Sequence, residues 1–123
     1  MKFCDLSTAK GMIVIMKEEL IKVTIDRPMG SGHPDYPDMI YPINYGYVKG
    51  IMAPDGEEQD VYVIGVDKPV HEYIGKLIAI IHRNDDIEEK WVVCAENVTF
   101  SKEEIKKLTY FQEQYYDSYI EML

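Results

Sequence analysis

Four carboxylates lie within the six-residue segment Asp55-Gly56-Glu57-Glu58-Gln59-Asp60. Proline before this segment and glycine within it are typical of a turn, and the β-branched run over residues 61–66 predicts a buried strand. Like charges gathered in one turn repel each other unless cations lie between them. Carboxylate oxygens suit Mg²⁺ or Mn²⁺, which keep some of their waters and share phosphate oxygens. The segment therefore indicates a metal site or, alternatively, a solvated acidic turn.

The composition limits the class of protein. The 123 residues, 46% of them hydrophobic, predict a single globular domain over residues 1–123, with residues 1–10 as a poorly ordered lead-in. The formal net charge of -9 disfavours nucleic-acid binding, but metal ions would still allow a small anionic substrate. The two distant cysteines, Cys4 and Cys94, and the short apolar runs indicate a cytoplasmic protein without a membrane span.

Several short strand patterns surround the acidic segment. Residues 11–16 and 20–25 are strand candidates that could pair as a hairpin. Residues 76–82 and 90–94 are further strands, and residues 44–48 form either a strand or a bend. Short strands separated by turns predict a small barrel or a sandwich.

The C-terminal segment has a different period. Ser101 and Glu104 have the spacing of a helix capping box. Apolar residues then recur every three or four positions, at Ile105, Leu108, Phe111, Tyr115, Tyr119 and Met122. This spacing predicts an amphipathic helix that packs on the sheet, and therefore a mainly β fold with α structure (α+β). Exposed aromatics on this helix would indicate a homo-oligomer, the alternative being contacts within the core.

Two segments between the strands leave alternatives open. Residues 29–39 form a long loop whose His33, Asp35 and Asp38 either bind metal or are solvated. The tyrosines that follow, among them Tyr41 and Tyr45, are either core aromatics or donors to a phosphate.

Three stretches, read in order, resemble the soluble (family I) inorganic pyrophosphatases. They are Ile25-Asp26-Arg27-Pro28, Tyr41-Pro42-Ile43-Asn44-Tyr45-Gly46-Tyr47 and Asp55-Gly56-Glu57-Glu58-Gln59-Asp60-Val61, and the resemblance extends over residues 25–93. It implies a small OB-like five-stranded barrel with a C-terminal helix. It also implies an inorganic diphosphatase that binds Mg²⁺, or Mn²⁺, and hydrolyses the small molecule pyrophosphate to two phosphates.

The resemblance implies roles residue by residue. The implied metal ligands are Asp55, Asp60, Asp85 and Glu88. The implied substrate-binding residues are Arg27, Tyr41, Tyr45 and Lys90. The implied catalytic residues are Glu57, which would accept a proton from the attacking water, with Asp60 and Arg27.

The chain also departs from the family pattern. Glu57 is one methylene longer than the aspartate usual at its position, and Tyr115-Tyr116 replaces a tyrosine–lysine pair. The loop over residues 30–39 is longer than usual, and its His33 is a candidate replacement cation. Two alternative functions follow: a non-catalytic barrel that binds metal–phosphate or nucleotide, and a hydrolase of another phosphoanhydride.

Overall fold

The computed structural model describes residues 20–123. In this part of the chain the elements, in order, are β1 (Leu20–Arg27), β2 (Asn44–Met52), β3 (Glu58–Val63), β4 (Glu72–Arg83), β5 (Glu89–Cys94), α1 (Lys102–Glu113) and β6 (Ser118–Met122). The predicted lead-in, the strand at residues 11–16 and Cys4 lie outside the described residues. No helix among residues 20–123 is both long and apolar enough to cross a membrane.

The first five strands close into a barrel. Their order is β1-β2-β3-β5-β4, and β4 pairs with β1 to complete the ring. The β3–β5 pair is parallel and the other pairs are antiparallel. The predicted OB-like α+β fold is therefore confirmed, and of the two arrangements considered the barrel is the one observed.

Strand β3 is buried on both faces, which explains its continuous apolar sequence. Successive side chains of a strand point to opposite faces. Val61 and Val63 accordingly pack in one core cluster with residues of β1 and β5. Tyr62 packs in a second cluster together with Tyr45 and with Ile105 of α1. The acidic residues that precede these positions are therefore held at the end of a rigid strand.

The capping box at the start of α1 is confirmed, but the predicted length of the helix is wrong. Ser101 accepts the backbone N–H of Glu104, and the Glu104 carboxylate accepts the backbone N–H of Ser101. The helix ends at Glu113, and the residues predicted to continue it form β6, which pairs antiparallel with the end of β4. Apolar spacing could not reveal this end, because the backbone of β4 supplies the hydrogen-bond partners. Tyr115 and Tyr119 are consequently exposed and do not pack in the core.

Residues 44–48 belong to strand β2, which resolves the alternative of a bend. A side chain at Gly46 would place its Cβ only 1.9 Å from the backbone oxygen of Thr24 on β1. Glycine is therefore required where β1 and β2 approach most closely. This close approach fixes the position of the adjacent Tyr45.

Candidate functional site

A buried ammonium group lies at the centre of the site. Lys90 on β5 lies beside Asp60 on the parallel strand β3, and its side chain is only 5% exposed. Its Nζ donates to Asp60 Oδ2 at 2.6 Å, to the Tyr45 hydroxyl at 2.9 Å and to the Glu88 carboxylate. Burial alone would lower the pKa of Lys90, but Tyr45 and Asp60 raise it above its ordinary value. Lys90 is therefore a cation at neutral pH.

A second cation lies near the same tyrosine ring. Arg27, at the end of β1, donates from Nη1 to the Tyr41 hydroxyl at 2.6 Å. Its guanidinium carbon is 5.4 Å from the centre of the Tyr45 ring, and Lys90 Nζ is 5.6 Å from the same centre. Arg27 is within cation–π distance of this ring, whereas Lys90 contacts Tyr45 through its hydroxyl. The structure thus brings together Arg27, Tyr41, Tyr45, Lys90, Asp60 and Glu88, all of them site residues predicted from the sequence.

An open acidic cleft of about 330 Å³ adjoins this cluster at Asp60. Four carboxylates line it, together with Tyr47, Met52 and Gly56; the acids are Asp26, Glu57, Glu58 and Asp60. Burial raises the pKa of Asp26, and the charge of Asp60 adds to this rise. Four carboxylates gathered in one cleft favour bound cations. Its lining includes Glu57, the predicted proton acceptor, whereas Asp26 and Glu58 had no predicted role.

Two predicted metal ligands lie apart from the cluster. The Asp55 carboxylate accepts the backbone N–H of Glu57 at 3.0 Å in an exposed turn, and Asp85 is exposed in the turn between β4 and β5. Across residues 20–123, no three His, Cys, Asp or Glu side chains are grouped closely enough to hold one ion. Asp55, Asp60 and Asp85 accordingly do not form such a group in this part of the chain, nor do His33, Asp35 and Asp38.

The residues present nevertheless fit a hydrated divalent cation. The cleft offers carboxylate oxygens, the donors that hard cations prefer. Mg²⁺ commonly keeps several of its waters. Lys90 lies between Asp60 and Glu88, so these three groups together carry a net negative charge. Such a group needs additional positive charge before it can hold a phosphorylated anion.

Sequence reasoning missed a second set of polar residues behind this site. Arg83 contacts both Glu88 and Glu113, and Gln112 and Tyr62 continue the same hydrogen-bonded chain. All except Glu88 are buried. The one available sequence signal was Tyr62, whose hydroxyl interrupts an otherwise apolar strand and requires a partner.

Two cations beside an acidic cleft suit the binding of a phosphorylated anion together with a divalent cation. The family model for inorganic pyrophosphatase matches residues 12–121, which is most of the chain. The chain therefore belongs to the inorganic pyrophosphatase family, and the enzyme class predicted from its motifs, a hydrolase of pyrophosphate, is confirmed. Membership implies a divalent metal cofactor and pyrophosphate as the substrate.

Solved structures support the same fold. An inorganic pyrophosphatase from Ehrlichia chaffeensis matches with a TM-score of 0.65 and 16% identity, over 85% of this chain and 86% of that one. The inorganic pyrophosphatase from Neisseria gonorrhoeae matches with a TM-score of 0.63 and 17% identity, over 81% of this chain and 75% of that one. The inorganic pyrophosphatase from Thermus thermophilus matches with a TM-score of 0.55 and 14% identity, over 99% of this chain and 86% of that one. A sequence search of curated proteins found no significant match.

Proposed function

We propose that pyrophosphate is hydrolysed at the cluster formed by Arg27, Tyr45, Lys90 and Asp60, and that the divalent cation is Mg²⁺, which Mn²⁺ can replace. One observation carries this proposal: two cations lie near a single tyrosine, and one of them is linked through Asp60 to an acidic cleft. Phosphate would meet the cations, and metal would meet the acids, on adjoining surfaces.

The cations and hydroxyls would hold the substrate. Arg27 has a planar guanidinium that grips two phosphate oxygens at once, whereas Lys90 supplies a compact charge. Burial raises the pKa of both Tyr41 and Tyr45. Both hydroxyls therefore keep their protons at neutral pH. The Tyr45 hydroxyl, which accepts from Lys90, can donate to a phosphate oxygen, whereas the Tyr41 hydroxyl donates to Gln112 Oε1 and would act through its contact with Arg27.

The acids would hold the metal and move the proton. The proposed metal ligands are Asp55, Asp60, Asp85 and Glu88. When bound, divalent cations would neutralise phosphate charge and lower the pKa of a coordinated water. Glu57 lines the same cleft as Asp60, so its carboxylate is available to accept the proton of the attacking water.

Phosphate release from pyrophosphate tests the proposal. The wild-type protein should release phosphate with Mg²⁺ and lose this activity in EDTA. Asp60→Asn, which keeps the side-chain size but removes the charge, should lower kcat/KM by roughly 100-fold or more. Asp67→Asn is the matched control, because Asp67 is exposed and outside the site. Equal activity of the two variants would exclude the proposed role of Asp60.

A second candidate function is supported by a larger cavity of about 810 Å³. Its lining joins the long loop, through His33 and Tyr36, to the end of α1, through Phe111, Tyr115 and Tyr116. The His33 ring is stacked on Tyr41, which contacts Arg27. The cavity lining contains no lysine or arginine, so an aromatic group suits it better than a phosphate does.

The candidate is therefore hydrolysis of a phosphoanhydride that carries an aromatic group, such as a nucleoside diphosphate. A substrate panel with wild type and Tyr115→Ala tests it. Loss of nucleoside diphosphate turnover alone would support it, and turnover of pyrophosphate alone by the wild-type protein would exclude it.

We also propose that residues 1–123 form one domain and that the protein is cytoplasmic and forms a homo-oligomer. Exposed Tyr110 and Tyr115 near the end of α1 support self-association. Light scattering coupled to size-exclusion chromatography would test it, and a monomeric mass would exclude it.

A further inference from the structure

The last turn of α1 places two neighbouring polar side chains, Gln112 and Glu113, in the protein interior. Only 8% and 7% of these residues are exposed. Buried polar groups of this kind need hydrogen-bond partners, and an unpaired carboxylate would be strongly unfavourable. Their partners are the residues that hold the two cations of the site.

Gln112 leads to Arg27. The Tyr41 hydroxyl donates to Gln112 Oε1 at 3.0 Å and accepts from Arg27 Nη1 at 2.6 Å. Because its proton is committed to Gln112, the hydroxyl presents a lone pair to the guanidinium. Gln112 thereby sets the direction in which Tyr41 holds Arg27.

Glu113 leads to Lys90. Its carboxylate accepts from Arg83 Nη2 at 2.9 Å, and Arg83 Nη1 donates to Glu88 at 2.8 Å. Glu88 in turn contacts the ammonium of Lys90. The guanidinium carbon of Arg83 also lies 3.6 Å from the centre of the Tyr116 ring. The ring and the two carboxylates together hold the guanidinium in one orientation. Charges alternate along this path, and each pair orients the next.

Tyr62 joins the two paths. Its hydroxyl donates to Glu113 Oε2 at 2.5 Å and accepts from Gln112 Nε2 at 2.8 Å. The residue is fully buried on β3, and burial beside Glu113 raises its pKa well above the ordinary value. Tyr62 therefore stays a neutral donor that cannot itself reach a substrate in solvent.

We propose that Gln112 and Glu113 are positioning residues, joined at Tyr62, which hold Arg27 and Lys90 in the geometry that grips phosphate. This inference rests on the proposed function of those two cations. The network contacts both through fixed donors and acceptors, so its loss would misplace them without removing either charge. A misplacement of about 1 Å can cost roughly 100-fold in rate.

Tyr62→Phe is the sharpest test, because it removes only the hydroxyl at the junction. We expect kcat/KM for pyrophosphate to fall by about 10- to 100-fold, with a higher KM and a lower kcat. The dissociation constant for inorganic phosphate, measured by calorimetry with Mg²⁺, should rise by a similar factor. Tyr73→Phe is the matched control, since Tyr73 packs half-buried in the other core cluster. Its constants should stay within about twofold of wild type.

Gln112→Met provides a second variant, which tests the inference if Tyr62→Phe fails to fold. It removes the acceptor of Tyr41 and the donor to Tyr62 but leaves the contacts of Glu113 with Arg83 and of Arg83 with Glu88 in place. Circular dichroism would confirm that each variant is folded at the assay temperature. A purely structural network predicts a lower Tm with unchanged kcat, KM and phosphate affinity, and that result would overturn the inference. Failure of the proposed function can be distinguished from failure of this inference. If the proposed function is wrong, the wild-type protein would not hydrolyse pyrophosphate, but the phosphate affinities of the variants and wild type could still be compared.

Discussion

The carboxylates beside Lys90 keep its ammonium group protonated and also neutralise its positive charge. A buried ammonium without partners would lose its proton, and the contacts with Asp60 and Glu88 prevent this. The same carboxylates shield Lys90 from any incoming anion. Lys90 can therefore bind phosphate strongly only when a further cation shares those carboxylates, which makes metal and substrate binding interdependent.

Asp26→Asn is expected to stabilise the protein at neutral pH. Burial, with Asp60 nearby, raises the pKa of Asp26, so the native state holds this proton more tightly than the unfolded chain does. Wild type therefore loses stability as the pH rises from the unfolded pKa of about 4 through the higher native pKa. The Asp26→Asn variant does not lose stability in this way, because asparagine does not ionise. Because Asp26 is exposed to solvent, the gain should be on the order of 1 kcal/mol or less.

Urea unfolding in EDTA would measure this effect. The difference in the free energy of unfolding between Asp26→Asn and wild type should grow from about pH 3 to about pH 7. A difference that stays constant with pH would show that the charge of Asp26 is not the cause.

Local sequence patterns predicted those strands and helix ends that depend on neighbouring residues in the chain. Alternating side chains revealed β1, and the capping box located the start of α1. The end of α1 was not predictable, because β6 is stabilised by hydrogen bonds to β4, far away in the sequence. Glu113 was missed for a similar reason: in sequence it resembles any exposed helical glutamate, and only the fold brings Arg83 to it.

Gly46→Ala should be strongly destabilising, by about 3 kcal/mol. The new methyl group would overlap the Thr24 carbonyl, and because that atom is backbone, β1 and β2 must separate. Gly50→Ala is the control: Gly50 has a φ of +80° but no atom within 4 Å of a Cβ. Its cost should be only about 1–2 kcal/mol, from the left-handed conformation. Urea denaturation measures both, and equal losses would contradict the steric account.

The whole molecule carries an excess of acids, 22 against 13 basic residues. Arg83 and Lys90 are each in contact with two carboxylates, so neither offsets the remaining excess. Part of that excess lines the cleft beside Asp60. Repulsion of this kind destabilises a compact state, and cations bound there should offset it.

Mg²⁺ alone should therefore stabilise the folded protein, without any substrate. A cation that binds only the native state contributes about 2.7 kcal/mol at 100 times its Kd. Thermal unfolding in MgCl₂ should give a higher Tm than in NaCl of equal ionic strength. Asp60→Asn should reduce the shift, whereas Asp67→Asn should keep it. Inorganic phosphate should raise Tm further only when Mg²⁺ is present, because Lys90 is otherwise occupied by its carboxylates. Equal shifts with the two salts would show ordinary screening and would contradict a metal site at this cleft.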